Sequence, residues 1–217
     1  MQRRPALIAL ALAPAFASLG SLSACRRRPP AGATAVAPGA TVLALGDSIT
    51  HGTGAPAGAS YPVELARLTG WQVVNAGVPG DTAAQVLARL PALLAEHRPA
   101  LVILGAGGND LLRRLPESDV EASLRRAIGL ARDAGAQVVL VGVPRPTVAA
   151  RLGAGLEDHP LYERLASELG IPLHGAGWAR VLGDASLRSD AIHANAAGYR
   201  AFAEGLAATL REAGLWR

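Results

Sequence analysis

The stretch that decides the fold is residues 41–50, which read TVLALGDSIT. Residues 41–45 form a short, mostly apolar run that ends at Gly46, a pattern that predicts a buried strand. A serine just past such a strand, as Ser48 is, points its hydroxyl into the cleft, where backbone N–H groups can stabilise negative charge. Gly-Asp-Ser alone is a weak signal, because it is more often a plain turn or cap. Ser48 is therefore a candidate nucleophile that needs support from the rest of the chain.

Strand and helix patterns alternate along the chain after this stretch. Continuously apolar strands that alternate with helices predict a parallel sheet covered by helices on both faces, which is an α/β fold of three layers. Asp81 is the expected N-cap of its helix, and Pro91 is expected to interrupt that helix. The further strands are predicted at 71–75, 100–104, 137–141 and 171–173, and the helices at 60–69, 81–96, 117–134, 158–169 and 196–213.

The loops at the carboxyl ends of the strands are where such sheets form their sites. Residues 75–82 read NAGVPGDT and residues 105–110 read GAGGND. These glycines permit close approach of the backbone to a ligand. A phosphate or cofactor cradle would use similar loops, but the chain lacks a Gly-x-Gly-x-x-Gly fingerprint and contains no lysine for a Walker-type site. We therefore expect no cofactor.

A third group of polar residues lies near the end of the chain, where residues 189–195 read SDAIHAN. An acyl-transfer serine needs a base, and the base needs an orienting carboxylate. Asp190 and His193 are three residues apart, a spacing that can bring carboxylate and imidazole together within one turn. Taken alone, an Asp-x-x-His pattern more often belongs to an ordinary surface loop.

The four blocks together, in this order, resemble the SGNH subgroup of the GDSL hydrolases. The resemblance covers residues 40–213 and is greatest to the bacterial arylesterase/thioesterase/lysophospholipase branch, through GDSIT-x-G-x-G, NAGVPGDT and LGAGGNDLLR. It implies that Ser48 is the nucleophile. It also implies that His193 is the general base and then the general acid, and that Asp190 orients His193.

The resemblance further implies an oxyanion hole made by the backbone N–H groups of Ser48 and Gly77 and the side-chain amide of Asn109. The last block commonly reads Asp-Gly-x-His-Pro in this family, whereas Ala191 and Ala194 stand at the Gly and Pro positions here. The reacting groups Asp190 and His193 are kept, but the loop lacks the conformational freedom of the glycine and the rigidity of the proline.

We therefore expect a flavodoxin-like α/β/α sandwich with a five-stranded parallel sheet in the order 2-1-3-4-5. The expected reaction is hydrolysis of small carboxylic esters, such as aryl, lipid-type or thioesters, through an acyl-Ser48 intermediate without metal or cofactor. Two alternatives remain open, a carbohydrate O-acetylesterase and a non-catalytic binding lipoprotein of the same fold.

The basic charge of the chain does not indicate a nucleic-acid partner. The formal net charge is +4, yet five arginines lie before residue 39, where no acidic residue occurs. Without those five, 16 arginines face 17 acidic residues, so the remainder is nearly neutral. No motif with interleaved arginine and aromatic residues accompanies the charge.

The N-terminal part has the pattern of an export signal. Arg3 and Arg4 precede an apolar stretch that ends in LSAC at Cys25, which is the single cysteine and resembles a bacterial lipobox. We expect residues 1–25 to be a lipoprotein-type signal and Cys25 to be lipidated. That makes the protein periplasmic or anchored in the outer membrane. The alternative is an ordinary signal peptide with an incidental cysteine.

Residues 26–39 are rich in Pro, Ala and Arg and are expected to be a tether to a hydrolase domain at 40–217.

Residues 144–160 follow the fourth strand with Pro, Gly and mixed charge. We expect them to form a mobile loop at the border of the acyl pocket. His51 either lines the substrate mouth or is a solvated turn residue.

Overall fold

The computed structural model describes residues 33–145 and 155–217. It contains one five-stranded sheet in the order β2-β1-β3-β4-β5, with every neighbouring pair parallel. The predicted α/β class and strand order are therefore confirmed. The strands are β1 (Thr41–Gly46), β2 (Gln72–Gly77), β3 (Leu101–Gly105), β4 (Gln137–Val141) and β5 (Leu173–His174).

The longer helices begin and end within two residues of the predicted bounds. These are α2 (Tyr61–Thr69), α3 (Ala83–His97), α5 (Glu117–Asp133), α6 (Pro160–Leu169) and α8 (Ala196–Glu212). Three short helices were not predicted, because four to seven residues are too few to show a helical period. They are α1 (Ser48–His51), α4 (Gly108–Leu112) and α7 (Gly177–Gly183).

Both predictions made for the details of α3 are wrong. Thr82 is the N-cap, because its hydroxyl accepts from the Gln85 N–H while the Gln85 side chain accepts from the Thr82 N–H, which is a capping box. Pro91 lies inside a continuous helix with its ring exposed to solvent. The apolar face continues on both sides of Pro91, and its packing on the sheet holds the helix together despite the lost backbone hydrogen bond. That face buries Val86, Leu90 and Leu94.

The strands are apolar throughout because both faces of the sheet are covered. Along β1, Leu43 and Leu45 pack in the core layer beneath α3, α5 and α6. Val42 and Ala44 point the other way, into the layer formed with α2, α7 and α8. This period of two follows from strand geometry. The buried central strands hold the loops at their carboxyl ends in fixed positions.

The predicted tether ends earlier than residue 39. Val36 is buried, its N–H donates to the Leu215 carbonyl at 2.8 Å, and its carbonyl accepts from the Trp71 indole. The Thr34 N–H donates to the side chain of Gln137, the first residue of β4. Residues 33–39 thus pack on the domain, at the end of the sheet opposite Ser48.

Residues 1–32, which include the predicted signal segment and Cys25, lie outside the described residues. Within 33–145 and 155–217, the helices are too short or too polar to cross a membrane.

Candidate active site

Ser48 is the first residue of α1, directly after the turn that ends β1. Asp47 caps this helix, because its Oδ1 accepts from the Ile49 N–H at 3.1 Å. The C-cap of this helix is Gly52, which has a φ of 103° and donates its N–H to the Ser48 carbonyl. A Cβ at Gly46 would collide with Thr50 and with the neighbouring strand. Because Gly46 has no side chain, α1 can pack tightly over the ends of the strands.

Ser48, His193 and Asp190 form one continuous chain of hydrogen bonds. His193 Nε2 lies 3.1 Å from Ser48 Oγ, and His193 Nδ1 lies 2.8 Å from Asp190 Oδ2. An ionised carboxylate only accepts hydrogen bonds, so Nδ1 carries the proton and Nε2 is left to accept from the serine hydroxyl. This is the arrangement that activates a serine for nucleophilic attack.

Asp190 is held in its ionised form by the loop around it. Partial burial raises its pKa, but hydrogen bonds from the His193 ring and from two backbone N–H groups lower that pKa below its ordinary value. These N–H groups, of Ile192 and His193, both donate to Asp190 Oδ1 at 2.8 Å. The carboxylate therefore stays charged at neutral pH and can stabilise a protonated His193.

The loop that carries His193 is fixed from two sides. Ala194 is fully buried, and Gly54, with a φ of 94°, lies so close that a Cβ there would collide with Ser189 and the Ala194 carbonyl. Asn195 caps α8 by accepting from the Gly198 N–H at 3.0 Å. A small residue at 194 suits this packing, so the loop keeps its reacting geometry without the proline that is common in the family.

Asn109 lies in α4, beside the turn that carries Ser48. Its Nδ2 donates to the Asp81 carbonyl at 3.0 Å and lies 3.4 Å from Asp47 Oδ2. The amide is thus oriented by the loop after β2 and by the residue before Ser48. An amide nitrogen carries two N–H groups, so the one that makes the longer contact with Asp47 can turn to a substrate oxygen while the other stays bound to the Asp81 carbonyl.

Gly77 does not have the free N–H group that an oxyanion donor needs. Its N–H donates to Asn75 Oδ1 at 3.0 Å, and a Cβ at Gly77 would collide with the backbone of His51. Gly77 instead permits close packing of β2 against α1, so the assignment of Gly77 as a donor is wrong.

Gly80 is the better candidate in the same loop, and the sequence analysis missed it. It has a φ of 86°, and its N–H has no partner among residues 33–145 and 155–217. It directly precedes Asp81, whose carbonyl accepts from Asn109. The signal in the sequence was the Pro79-Gly80 pair, a turn pattern that favours a positive φ at the glycine.

Two buried carboxylates lie beneath the site. Burial raises the pKa of Asp47 to about 6; the charge of Asp110 adds to this, while the Ile49 N–H and the charge of His193 oppose it. Asp110 is also buried, and its Oδ2 accepts from the Ala83 N–H at 2.8 Å. Both carboxylates accept hydrogen bonds from backbone N–H groups, Asp47 from Ile49 in α1 and Asp110 from Ala83 at the start of α3.

A cavity of about 20 Å³ lies next to Asp47, with Tyr61, Val143 and Trp178 in its wall. Val143 directly precedes residues 144–160, the segment expected to border the acyl pocket, so that segment starts on the Ser48 side of the sheet. Residues 146–154 of the segment lie outside the described residues.

His51 is the exposed last residue of α1. In the described part of the chain, no group of three or more His, Cys, Asp or Glu residues is arranged to hold a metal ion.

Known proteins of similar sequence and structure are esterases and acylhydrolases. Residues 44–201 match the model of the GDSL-like lipase/acylhydrolase family. The chain is 38% identical over 139 residues to thioesterase 1/protease 1/lysophospholipase L1 of Escherichia coli K12, a match that takes in 61% of this chain and 64% of that protein. It is 40% identical over 139 residues to an arylesterase of Vibrio mimicus, a match covering 61% of this chain and 68% of that protein. The crystal structure of TesA superposes with a TM-score of 0.71 at 31% identity, covering 79% of this chain and 98% of the other.

Proposed function

Because the chain belongs to the GDSL-like lipase/acylhydrolase family, we propose that it is a serine esterase that hydrolyses carboxylic esters through an acyl-Ser48 intermediate. The observation that carries this proposal is the pair of short contacts from Ser48 Oγ to His193 and from His193 to Asp190. A binding protein of the same fold has no need for a base so aligned on a serine hydroxyl.

The reaction follows from the proton positions. Ser48 Oγ attacks the ester carbonyl carbon as its proton passes to His193 Nε2, and Asp190 stabilises the imidazolium that forms. His193 then donates this proton to the leaving-group oxygen, the carbon–oxygen bond breaks, and the acyl group stays on Ser48. A water molecule, deprotonated by His193, attacks the acyl carbon, and the acid leaves as Ser48 regains its proton.

The oxyanion hole in this proposal has three donors, namely the Ser48 N–H, the Gly80 N–H and Asn109 Nδ2. They come from the loops after three neighbouring strands, so they can converge on one oxygen beside Ser48. Gly80 takes the place expected for Gly77, whose N–H is engaged by Asn75. Removing one such donor typically lowers kcat by about 10²–10³.

Aryl, lipid-type and thioesters are the proposed substrates. Val78, in the loop after β2, and Ile192, between Asp190 and His193, are both 42% exposed. Exposed apolar side chains on the loop after β2 and on the loop that carries His193 suit an apolar acyl or aryl group. The names of the Escherichia coli and Vibrio mimicus relatives agree with this substrate class.

The proposed location is the periplasm or the outer membrane, with an acyl anchor at Cys25. The LSAC pattern and the presence of a single cysteine support it. The packing of residues 33–39 at the end of the sheet opposite Ser48 would leave the site facing away from the anchor. Radiolabelled palmitate should enter the wild-type protein in cells and be absent from Cys25→Ser; equal labelling of both would refute the anchor.

The direct test of function is hydrolysis of p-nitrophenyl esters, from acetate to long acyl chains. Wild type should be active, and Ser48→Ala should lose at least about 10³-fold in kcat, as expected for removal of a nucleophile. Ser118→Ala, which alters an exposed serine, should match wild type. Activity on acetate alone would favour a carbohydrate O-acetylesterase, and a folded but inactive wild type would favour a binding protein.

A further inference from the structure

Arg89 extends from α3 toward the loops that follow β1 and β2. Its Nη2 donates to the Gly46 carbonyl at 2.6 Å, and its Nε donates to Asp81 Oδ2 at 2.8 Å. We propose that Arg89 is a positioning residue that holds the donors of the oxyanion hole in place. This proposal rests on the serine esterase function proposed above.

The first connection runs to Ser48. Gly46 is the last residue of β1, and its carbonyl accepts from the Val78 N–H at 3.1 Å as well as from Arg89. Because a peptide bond is planar, fixing this carbonyl fixes the plane that leads into Asp47. The direction of the Ser48 N–H is set from there, one peptide further along the chain.

The second connection runs to Asn109 and Gly80. The Asp81 side chain pairs with Arg89, and the Asp81 carbonyl accepts from Asn109 Nδ2 at 3.0 Å. Gly80 is the neighbour of Asp81, and its carbonyl is held from the other side by Arg113 Nη2 at 3.0 Å. Fixing Asp81 therefore fixes both the amide of Asn109 and the Gly80–Asp81 peptide, which is the neighbour of the peptide that carries the Gly80 N–H.

Arginine suits this task better than lysine does. The planar guanidinium presents separate N–H groups at fixed angles, so it can bind a carbonyl and a carboxylate at once, whereas an ammonium group is a single point charge. The side chains of Arg89 and Asp81 are only 25% and 13% exposed, so solvent screens this pair less than it screens a surface ion pair.

The test compares kcat and KM for wild type, Arg89→Met and Arg89→Lys on one p-nitrophenyl ester. The control is Arg132→Met, which removes an exposed arginine bonded to the Leu169 carbonyl. Arg89→Met should lower kcat by about 10- to 100-fold, less than or equal to the loss of a whole donor, with KM within about twofold. Arg89→Lys should be intermediate, and the control should match wild type. A kcat for Arg89→Met within about twofold of wild type would overturn the proposal.

A double-mutant cycle with Asn109→Ala separates positioning from general stability. If Arg89 acts through Asn109, the double variant should lose less activity than the product of the two single losses. Losses that multiply fully would overturn the route through Asn109.

Should Arg89→Met fail to fold, Arg89→Lys decides, and a folded Arg89→Lys with wild-type kcat refutes the proposal. Failure of the esterase function is recognised separately, by a wild type that hydrolyses no ester and whose Ser48 is not labelled by a fluorophosphonate.

Discussion

Ser48 and His193 are 145 positions apart in the chain, yet Ser48 Oγ and His193 Nε2 lie 3.1 Å apart. The end of the first strand and the loop before the last helix meet because α8 packs beside α2. Both helices lie on the face of the sheet against which Ile49 of α1 also packs. This contact, between a serine and a base that is itself held by a carboxylate, is the basis of the predictions on catalytic activity that follow first.

Asp190→Asn should lower kcat by about 10³–10⁴-fold with little change in KM. An amide at this position can donate to His193 Nδ1, which would place the proton on Nε2 and leave no acceptor for the Ser48 hydroxyl. Steady-state kinetics on a p-nitrophenyl ester measure this effect. Asp184→Asn is the matched control, because this side chain is exposed and accepts hydrogen bonds only from Ser186 within the described residues. An Asp190→Asn kcat within tenfold of wild type would remove Asp190 from the mechanism.

Asn109→Ala should lower kcat by about 10²–10³-fold, because the amide is one of three proposed oxyanion donors. Gln137→Ala removes an amide at the opposite end of the sheet and should leave kcat unchanged. A crystal structure of the phosphonate adduct on Ser48 then identifies the third donor. We expect an adduct oxygen within about 3 Å of the Gly80 nitrogen; an oxygen bound to the Gly77 nitrogen instead would restore the original assignment.

Gly54→Ala should lower kcat at least about tenfold, because the displaced loop carries His193 and small displacements of reacting groups are costly. Gly58→Ala is a matched control. Both glycines have a positive φ, 94° and 82°, but a Cβ at Gly58 meets nothing within 4 Å, whereas one at Gly54 collides with the loop. Each substitution should reduce stability by about 1 kcal/mol through backbone strain. Equal activities in the two variants would show that the Gly54 contact does not position His193.

Asp47→Asn should stabilise the protein at pH 7. The pKa of Asp47 is raised from 3.8 to about 6 in the folded state, so the folded protein binds more protons than the unfolded chain between these values. Stability from this group is therefore highest below pH 3.8 and is lost as the pH rises to 6. The loss is on the order of 3 kcal/mol, and asparagine, which can still cap α1, avoids it.

Urea unfolding at pH 4 and pH 7 measures this effect. The stability gain of Asp47→Asn over wild type should be larger at pH 7 than at pH 4, while the exposed Asp119→Asn should show no such difference. A gain that is the same at both pH values would contradict the prediction.

His174 should make the protein less stable as the pH falls. Its Nδ1 lies 2.8 Å from Thr209 Oγ1, whose own hydroxyl donates to the Gly205 carbonyl, so Nδ1 is the nitrogen that carries the proton when the ring is neutral. Burial, and then the charge of Arg180, lower its pKa from 6.5 to about 4. The unfolded chain binds the proton first, so stability is complete above pH 6.5 and falls by about 3 kcal/mol on the way to pH 4.

Unfolding of wild type and His174→Gln between pH 7 and pH 4 checks the effect of His174. The packing loss in the variant is independent of pH, so the stability difference between the two proteins should shrink as the pH falls. A constant difference would show that His174 does not titrate in this way.

The layers, the strand order and the bounds of the long helices could be predicted because they depend on local patterns. A strand covered on both faces is apolar at every position, as β3 is, and a helix packed on a sheet shows a regular apolar face. The helix at Ser48 has only four residues, so it left no pattern. The burial of Val36 depends on Trp71 and Leu215, which are distant in sequence, and the tether was therefore assigned too long.

By itself the sequence determined the chemistry that is available and the ends of the strands at which it lies. Ser48, Asp190 and His193 were candidates from their own motifs, and the resemblance of the four blocks together added Asn109. Only the tertiary structure decided which groups remain free to act. Gly77 ends β2 and Gly80 lies in the loop after it; the Asn75 side chain engages the N–H of Gly77, whereas the N–H of Gly80 has no partner among the described residues. Nothing in the sequence around Arg89 distinguishes it from the other arginines, and only the fold brings its side chain to the Gly46 carbonyl. The physical reason is that side-chain type and periodicity are local properties, whereas hydrogen bonds of about 3 Å require segments from several strands to converge.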